Sequence, residues 1–175
     1  MSQPSLNELL KQTSRSFYLT LRVLPRAVRP QIGLAYLLAR TTDTIADTEI
    51  IPAEKRLQAL QQLQDRILGL RNNVLDFTEL ARQQGVPAER QLLDRCAASL
   101  ALLVNLSAAD LPRVRKVLEI IISGQRLDLE RFAEASAENV LALKTEAELD
   151  DYTYRVAGCV GEFWTTLCRA HLFPS

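Results

Sequence analysis

One histidine, three cysteines, six glycines and a single tryptophan are few for a chain of 175 residues, and each shortage excludes a class of protein. His171 alone cannot build the two-histidine zinc motif, and its place near an expected frayed end argues against a nucleophile–histidine pair. Cys96, Cys159 and Cys168 are odd in number and lack C-x-x-C spacing. They read as reduced, mostly core thiols of a cytoplasmic protein, neither a disulfide framework nor a zinc site. No excess of either charge exists, lysine plus arginine equalling aspartate plus glutamate at 21 each, so nothing calls for nucleic acid or an anionic membrane surface. No segment reaches the ~18–20 consecutive apolar residues that cross a bilayer, and no charged start followed by an apolar run opens the chain. A soluble or loosely membrane-associated protein is expected. Runs of alternating β-branched residues are also missing, which removes the signal for strands.

What is abundant is Leu, Ala, Arg, Gln and Glu, a composition that favours helices throughout. Residues 1–175 are expected to form one all-α domain, long enough to bury a large core. The most informative stretch is residues 36–47, YLLARTTDTIAD. Tyr36, Arg40, Asp43 and Asp47 recur at helical spacing and share one stripe, with neighbours roughly 5–6 Å apart. Ile32, Leu34, Ala35, Leu37, Leu38, Ala39, Ile45 and Ala46 surround that stripe, as in a buried helix, and so place the carboxylates toward an internal cavity. Two such carboxylates repel each other unless a cation offsets them. Magnesium suits the pair, because it takes oxygen ligands and is commonly shared between one or two carboxylates and substrate phosphates. The same spacing also describes a solvated helix face with an Arg40–Asp43 ion pair of little energetic consequence.

Elsewhere the pattern predicts helices over residues 6–12, 52–70, 75–84, 88–106, from Asp110 to about 132, and from a Thr145-x-x-Glu148 capping box to about 172. Pro25 and Pro30 bracket the turn into the central helix. Ser14 with Arg15 at a helix start suits either a plain cap or an anion site. Gly124 lies mid-helix at a cost of roughly 1 kcal/mol against alanine, so a neighbour is expected to occupy the space. Gln125 and Asp128 beside it face either a cavity or solvent. Ala157, Gly158 and Gly161 strip bulk from the last helix, for close packing or for a long apolar ligand, with Tyr152 either structural or at the rim. The helix over residues 88–106 carries no visible chemistry.

Three stretches in order carry a resemblance: Ser14-Arg15-Ser16-Phe17; Tyr36-x-x-x-Arg40-x-x-Asp43-Thr-x-x-Asp47; and Tyr152-x-x-x-Val156-Ala157-Gly158-x-Val160-Gly161. Together they resemble the squalene and phytoene synthase family, all-α enzymes that join two prenyl diphosphates head to head. Residues 124–132 also look like that family's G-x-x-x-D-L segment. The resemblance implies an isoprenoid-synthase-type helical bundle around a central cavity, of which this chain is the N-terminal portion, incomplete at the C-terminus. The family's second D-x-x-x-D motif, downstream of the Tyr152-like helix, has no match here.

By the same resemblance, Asp43 and Asp47 ligate Mg²⁺ that bridges to a diphosphate, while Arg15, Ser16, Phe17 and Arg40 hold that diphosphate or its prenyl neck. Tyr152 corresponds to the tyrosine that assists cyclopropane formation. Tyr36, Gln125, Asp128, Val156, Gly158 and Gly161 fall among the substrate-binding positions. Asp43-Thr44 looks more like the squalene than the phytoene branch, and Ala46 is similar to bacterial forms, which leaves NADPH use open. The implied function is a transferase condensing two farnesyl diphosphates to presqualene diphosphate or squalene, cytoplasmic or peripheral to the membrane, and inactive as this chain alone. Two alternatives stand beside it. One is a phytoene or dehydrosqualene synthase, and the other a non-catalytic helical subunit that binds a prenyl diphosphate or a partner chain supplying the missing half.

Overall fold

The computed structural model describes residues 6–173 except 14 and 134, and of residues 6, 9, 12, 13, 15 and 16 only the backbone. Among the described residues every regular element is helical. In order these are α1 (Leu6–Thr13), α2 (Arg15–Val23), α3 (Arg29–Ala46), α4 (Ala53–Leu68), α5 (Thr78–Arg82), α6 (Pro87–Asp94), α7 (Cys96–Ala101), a 3₁₀ turn (Leu102–Asn105), α8 (Asp110–Phe132), α9 (Glu146–Thr153), a π-type turn (Tyr154–Gly158) and α10 (Cys159–His171).

α3 is the centre of the bundle, packed on α8, α4, α6 and α7. Ile32, Leu34, Leu37, Leu38 and Ile45 are at most 2% exposed, and they meet Leu60, Leu63 and Ile67 of α4 and Val114, Leu118 and Ile122 of α8 in one core. Burying each such side chain contributes ~1.5–3 kcal/mol, which is why a helix apolar on most sides ends up inside. Its first turn holds Pro30, where a missing N–H costs nothing. Thr41, Thr44 and Thr48 are buried, yet each hydroxyl donates to the carbonyl four residues earlier at 2.9, 2.9 and 2.6 Å, so none of these hydroxyls is stranded.

Three predicted helices differ in detail. The stretch 88–106 bends at Arg95 (φ −104°, ψ 9°), although Arg95 N still donates to Gln91 O at 3.0 Å. This bend lets Leu92 and Leu93 on one side and Cys96 and Leu100 on the other all reach the core beside α3. The stretch 75–84 is helical only over α5. The last helix begins as expected, Thr145 Oγ1 accepting from Glu148 N at 3.1 Å, but changes to a π-type turn before α10. Gly124 explains the change of path. A Cβ there would stand 3.0 Å from Arg155 Cβ and 3.3 Å from the Arg155 backbone carbon, so the π turn rests directly on α8. The neighbour expected at Gly124 is therefore the π turn at Arg155 and Val156.

Nor is His171 a frayed residue. Its Nε2 lies 2.9 Å from Asp110 Oδ1, tying the end of α10 to the start of α8. Cys96, Cys159 and Cys168 are free thiols, as expected, and burial pushes the Cys96 thiol up to about 12. Among the described residues no helix is long and apolar enough to cross a membrane.

Candidate active site

The 3.6-residue period of α3 puts Tyr36, Arg40 and Asp43 on one side, and Asp47 extends that side as the C-cap, its N–H donating to Asp43 O at 2.8 Å. α8 supplies the facing groups. Gln125 Nε2 donates to Asp43 Oδ1, and one turn later Asp128 Oδ1 accepts from Tyr152 Oη at 3.1 Å. The negative charge of Asp128 acts on Asp47 as well, and that of Asp47 on Asp43, so Asp43, Asp47, Gln125, Asp128 and Tyr152 belong to one electrostatic unit. Phe132 closes the edge of the Tyr152 ring at a centroid distance of 6.4 Å.

Below the polar groups lies an apolar cavity of about 340 Å³. Phe17 of α2 stacks on Tyr36 in its wall, ring centroids 3.9 Å apart and 22° from parallel, and Val160, Phe163 and Trp164 of α10 line it as well. Gly158 and Gly161 do not line that wall. Both are exposed, a Cβ on Gly161 would meet nothing within 4 Å, and Gly158 sits against the Tyr154 ring. Val156 is 41% exposed and approaches Gly124. Ser14, and the side chains of Arg15 and Ser16, lie outside the described residues.

One participant is invisible in the sequence. Arg40 Nη2 binds Glu89 Oε1 of α6 at 2.9 Å, whereas Asp43 Oδ2 is 3.8 Å from Nη1. Thus α6, expected to be purely structural, sends a carboxylate to the site. No local signal marks Glu89, because its role depends on a contact spanning 49 positions.

Burial raises the pKa of Asp43, against the lowering by the Gln125 hydrogen bond and Arg40. It also raises that of Asp47, and Glu89, Asp128 and Glu49 add to the effect. Tyr152 is raised by burial and then by Asp128, so its phenol keeps its proton at neutral pH. Both aspartates thus carry their charge against resistance. A carboxyl raised above its unfolded value favours the fold at low pH, and that advantage is lost as pH rises through the folded pKa. Asp43→Asn is accordingly expected to raise the melting temperature of the metal-free protein at pH 7, and to change it less at pH 4. Thermal scans at the two pH values check this; a lower melting temperature at pH 7 would contradict it.

This donor set fits Mg²⁺. Asp43 and Asp47 offer hard carboxylate oxygens whose repulsion a cation relieves, and beside them the buried Gln125 Oε1 has no hydrogen-bond partner. Among the described residues no group of three or more His, Cys, Asp or Glu side chains is placed to hold a metal ion, so the protein offers at most the two aspartates. A metal here would complete its shell with water and phosphate oxygens, as magnesium commonly does.

The family model described as squalene/phytoene synthase matches residues 10–173. The chain belongs to that family. Within it the chain is 30% identical over 151 residues to the presqualene diphosphate synthase of Rhodopseudomonas palustris, covering 83% of this chain and 41% of that one. It is 27% identical over 155 residues to the squalene synthase of Schizosaccharomyces pombe, covering 88% and 32%. With the bifunctional lycopene cyclase/phytoene synthase of Blakeslea trispora it shares 26% over 175 residues, covering 93% and 24%. The solved complex of TcSQS with the ligand BPH1237 matches with a TM-score of 0.71 at 26% identity, covering 94% of this chain and 43% of that one. The chain thus spans less than half the length of these relatives. The squalene/phytoene synthase fold accounts for the all-α architecture.

Proposed function

We propose that this chain is the N-terminal portion of a head-to-head prenyl transferase, one that condenses two farnesyl diphosphates to presqualene diphosphate or squalene. The observation that carries the reading is the join on α3 between an aspartate-rich rim and an apolar cavity, which matches an amphiphile with a polyanionic head and a hydrocarbon tail. Asp43 and Asp47 would hold Mg²⁺, which when bound neutralises the diphosphate and eases its departure. Arg40, steadied by Glu89, holds a diphosphate oxygen, with Arg15 and Ser16 assigned the same task from the motif. Phe17 and Tyr36 present stacked rings to the prenyl neck, where their faces stabilise allylic positive charge and exclude water. Tyr152, donating to Asp128, would steer the cation and pass on a proton. Val156, Gly158 and Gly161 serve the prenyl tail only where further protein or substrate covers their exposed face. Gln125 orients Asp43.

A phytoene or dehydrosqualene synthase is the second reading, supported equally by the similarity to the B. trispora enzyme. Chain length separates the two farnesyl readings, squalene and dehydrosqualene synthase, from the phytoene one. Calorimetry with farnesyl and geranylgeranyl thiodiphosphates, Mg²⁺ present, is expected to show farnesyl binding tighter by about tenfold, within the range that pocket length can enforce. Preference for the longer chain favours the phytoene reading, and binding of neither sinks both. Labelled farnesyl diphosphate should give no product with the 175-residue chain alone, NADPH present or absent, because one aspartate pair serves one diphosphate.

A further inference from the structure

α3 has a second face. Pro30 and Leu34 lie opposite Ile32, Ala35, Tyr36 and Ala39 on a helix of 3.6 residues per turn, and there they border a separate cavity of about 650 Å³. That volume is within the ~300–1,000 Å³ typical of small-molecule sites. Leu10, Leu21 and Leu34, each 2% exposed, form its floor, with Leu102 and Leu106 beside them.

Its rim is cationic. Arg22, Arg26 and Arg29 line it, and no aspartate or glutamate does so among the described residues. Arg29 is fixed in place, Nε and Nη2 donating to Leu24 O at 3.2 and 2.6 Å and Nη2 to Arg22 O at 2.7 Å, so its charge is anchored to the end of α2. Arg22 and Arg26 are exposed beside it. Three guanidinium groups on one rim, with no carboxylate among its described lining residues, favour an anionic ligand.

The two halves of this cavity ask for different things. Inorganic phosphate would satisfy the arginines and leave the leucine floor unused, whereas a neutral hydrocarbon would leave the arginines unmatched. Because the leucines are recessed, they cannot enter a bilayer as the protruding apolar face of an interfacial helix does. The hydrocarbon has to come to them. We propose that this cavity binds a single-chain amphiphile with a phosphate headgroup, taken up as a monomer, its chain on the leucine floor and its phosphate on Arg22 and Arg26. The α3 helix separates it from Asp43 and Asp47, so two anionic amphiphiles can be held on opposite sides of one helix.

Dodecyl phosphate, kept below its micelle concentration and with EDTA present, is titrated into the 175-residue chain by calorimetry. Saturable binding is expected to weaken by at least about tenfold in the Arg22→Glu, Arg26→Glu double variant, the loss of two charge-assisted contacts. Leu106→Trp, which fills the floor without touching the charge, should weaken it too, and Asp43→Asn should leave it unchanged. Melting curves confirm that each variant is folded. Equal affinity in both cavity variants, binding of inorganic phosphate as strong as that of the amphiphile, or capture of phosphatidylglycerol vesicles without monomer binding would each overturn the proposal.

Discussion

Asp43→Asn is expected to abolish the mutual dependence of Mg²⁺ and prenyl diphosphate binding. In the unchanged protein Mg²⁺ alone should bind weakly, because two carboxylates leave most of its shell to water. Farnesyl thiodiphosphate supplies the missing oxygens, and coupling of this kind amounts to ~1–3 kcal/mol, or roughly 5–150-fold in affinity. Reciprocity requires the analogue to gain the same factor from Mg²⁺, so two independent titrations must agree. Asp47→Asn should behave alike, since partial desolvation raises both carboxylates, Asp43 half-exposed on α3 and Asp47 exposed at its end. An Mg²⁺ affinity indifferent to the analogue, or a coupling that survives both substitutions, would falsify the assignment of these aspartates as ligands.

Asp110→Ala should be the most damaging single change to the fold. The carboxylate is 3% exposed and every face of it is occupied: Oδ2 accepts from Gln31 Nε2 at 3.0 Å and Ser107 Oγ at 2.9 Å, and Oδ1 from Arg113 Nη1 and His171 Nε2, both at 2.9 Å. Removing it strands Gln31 Nε2 in a buried position where Gln31 Oε1 already lacks a partner, and leaves Arg113 and His171 without their shared acceptor. Breaking such a buried network costs about 3–5 kcal/mol. At roughly 2–4 °C per kcal/mol for a chain of this size, the melting temperature should fall by roughly 6–20 °C.

Asp110 also gives the fold an acid limit. Burial pushes its carboxyl up, but hydrogen bonds from Gln31, His171 and Ser107 and the His171 charge outweigh that and leave it at about 2, below the ordinary 3.8. The folded value is the lower one, so its contribution is full above about pH 3.8 and disappears as pH falls through about 2. That contribution is on the order of 2 kcal/mol. Denaturant titrations of the unchanged protein should show the drop in this window, and Asp110→Asn should flatten it. A variant with the parent's acid profile would show that other carboxylates set the limit.

The sequence by itself determined the helical class, the place of α3 and the sharing of one α3 face by Tyr36, Arg40, Asp43 and Asp47. These follow from local rules, since periodicity and capping act over one or two turns. The ordered spacing of three motifs was also enough to point to the family. What only the tertiary structure decided is which groups meet across the bundle. Glu89 reaches Arg40 from 49 positions away, Gln125 reaches Asp43 from 82, and His171 closes on Asp110 from 61. None of these has a periodic signature, because each depends on how two helices cross. Gly124 shows the same limit: its lack of a side chain announced a close approach, but that the π turn at Arg155 is what approaches was settled by packing. Gly158 and Gly161 show that limit from the other side: small residues are equally compatible with a wall and with an open face, and in this chain both lie on the exposed side of the last helix.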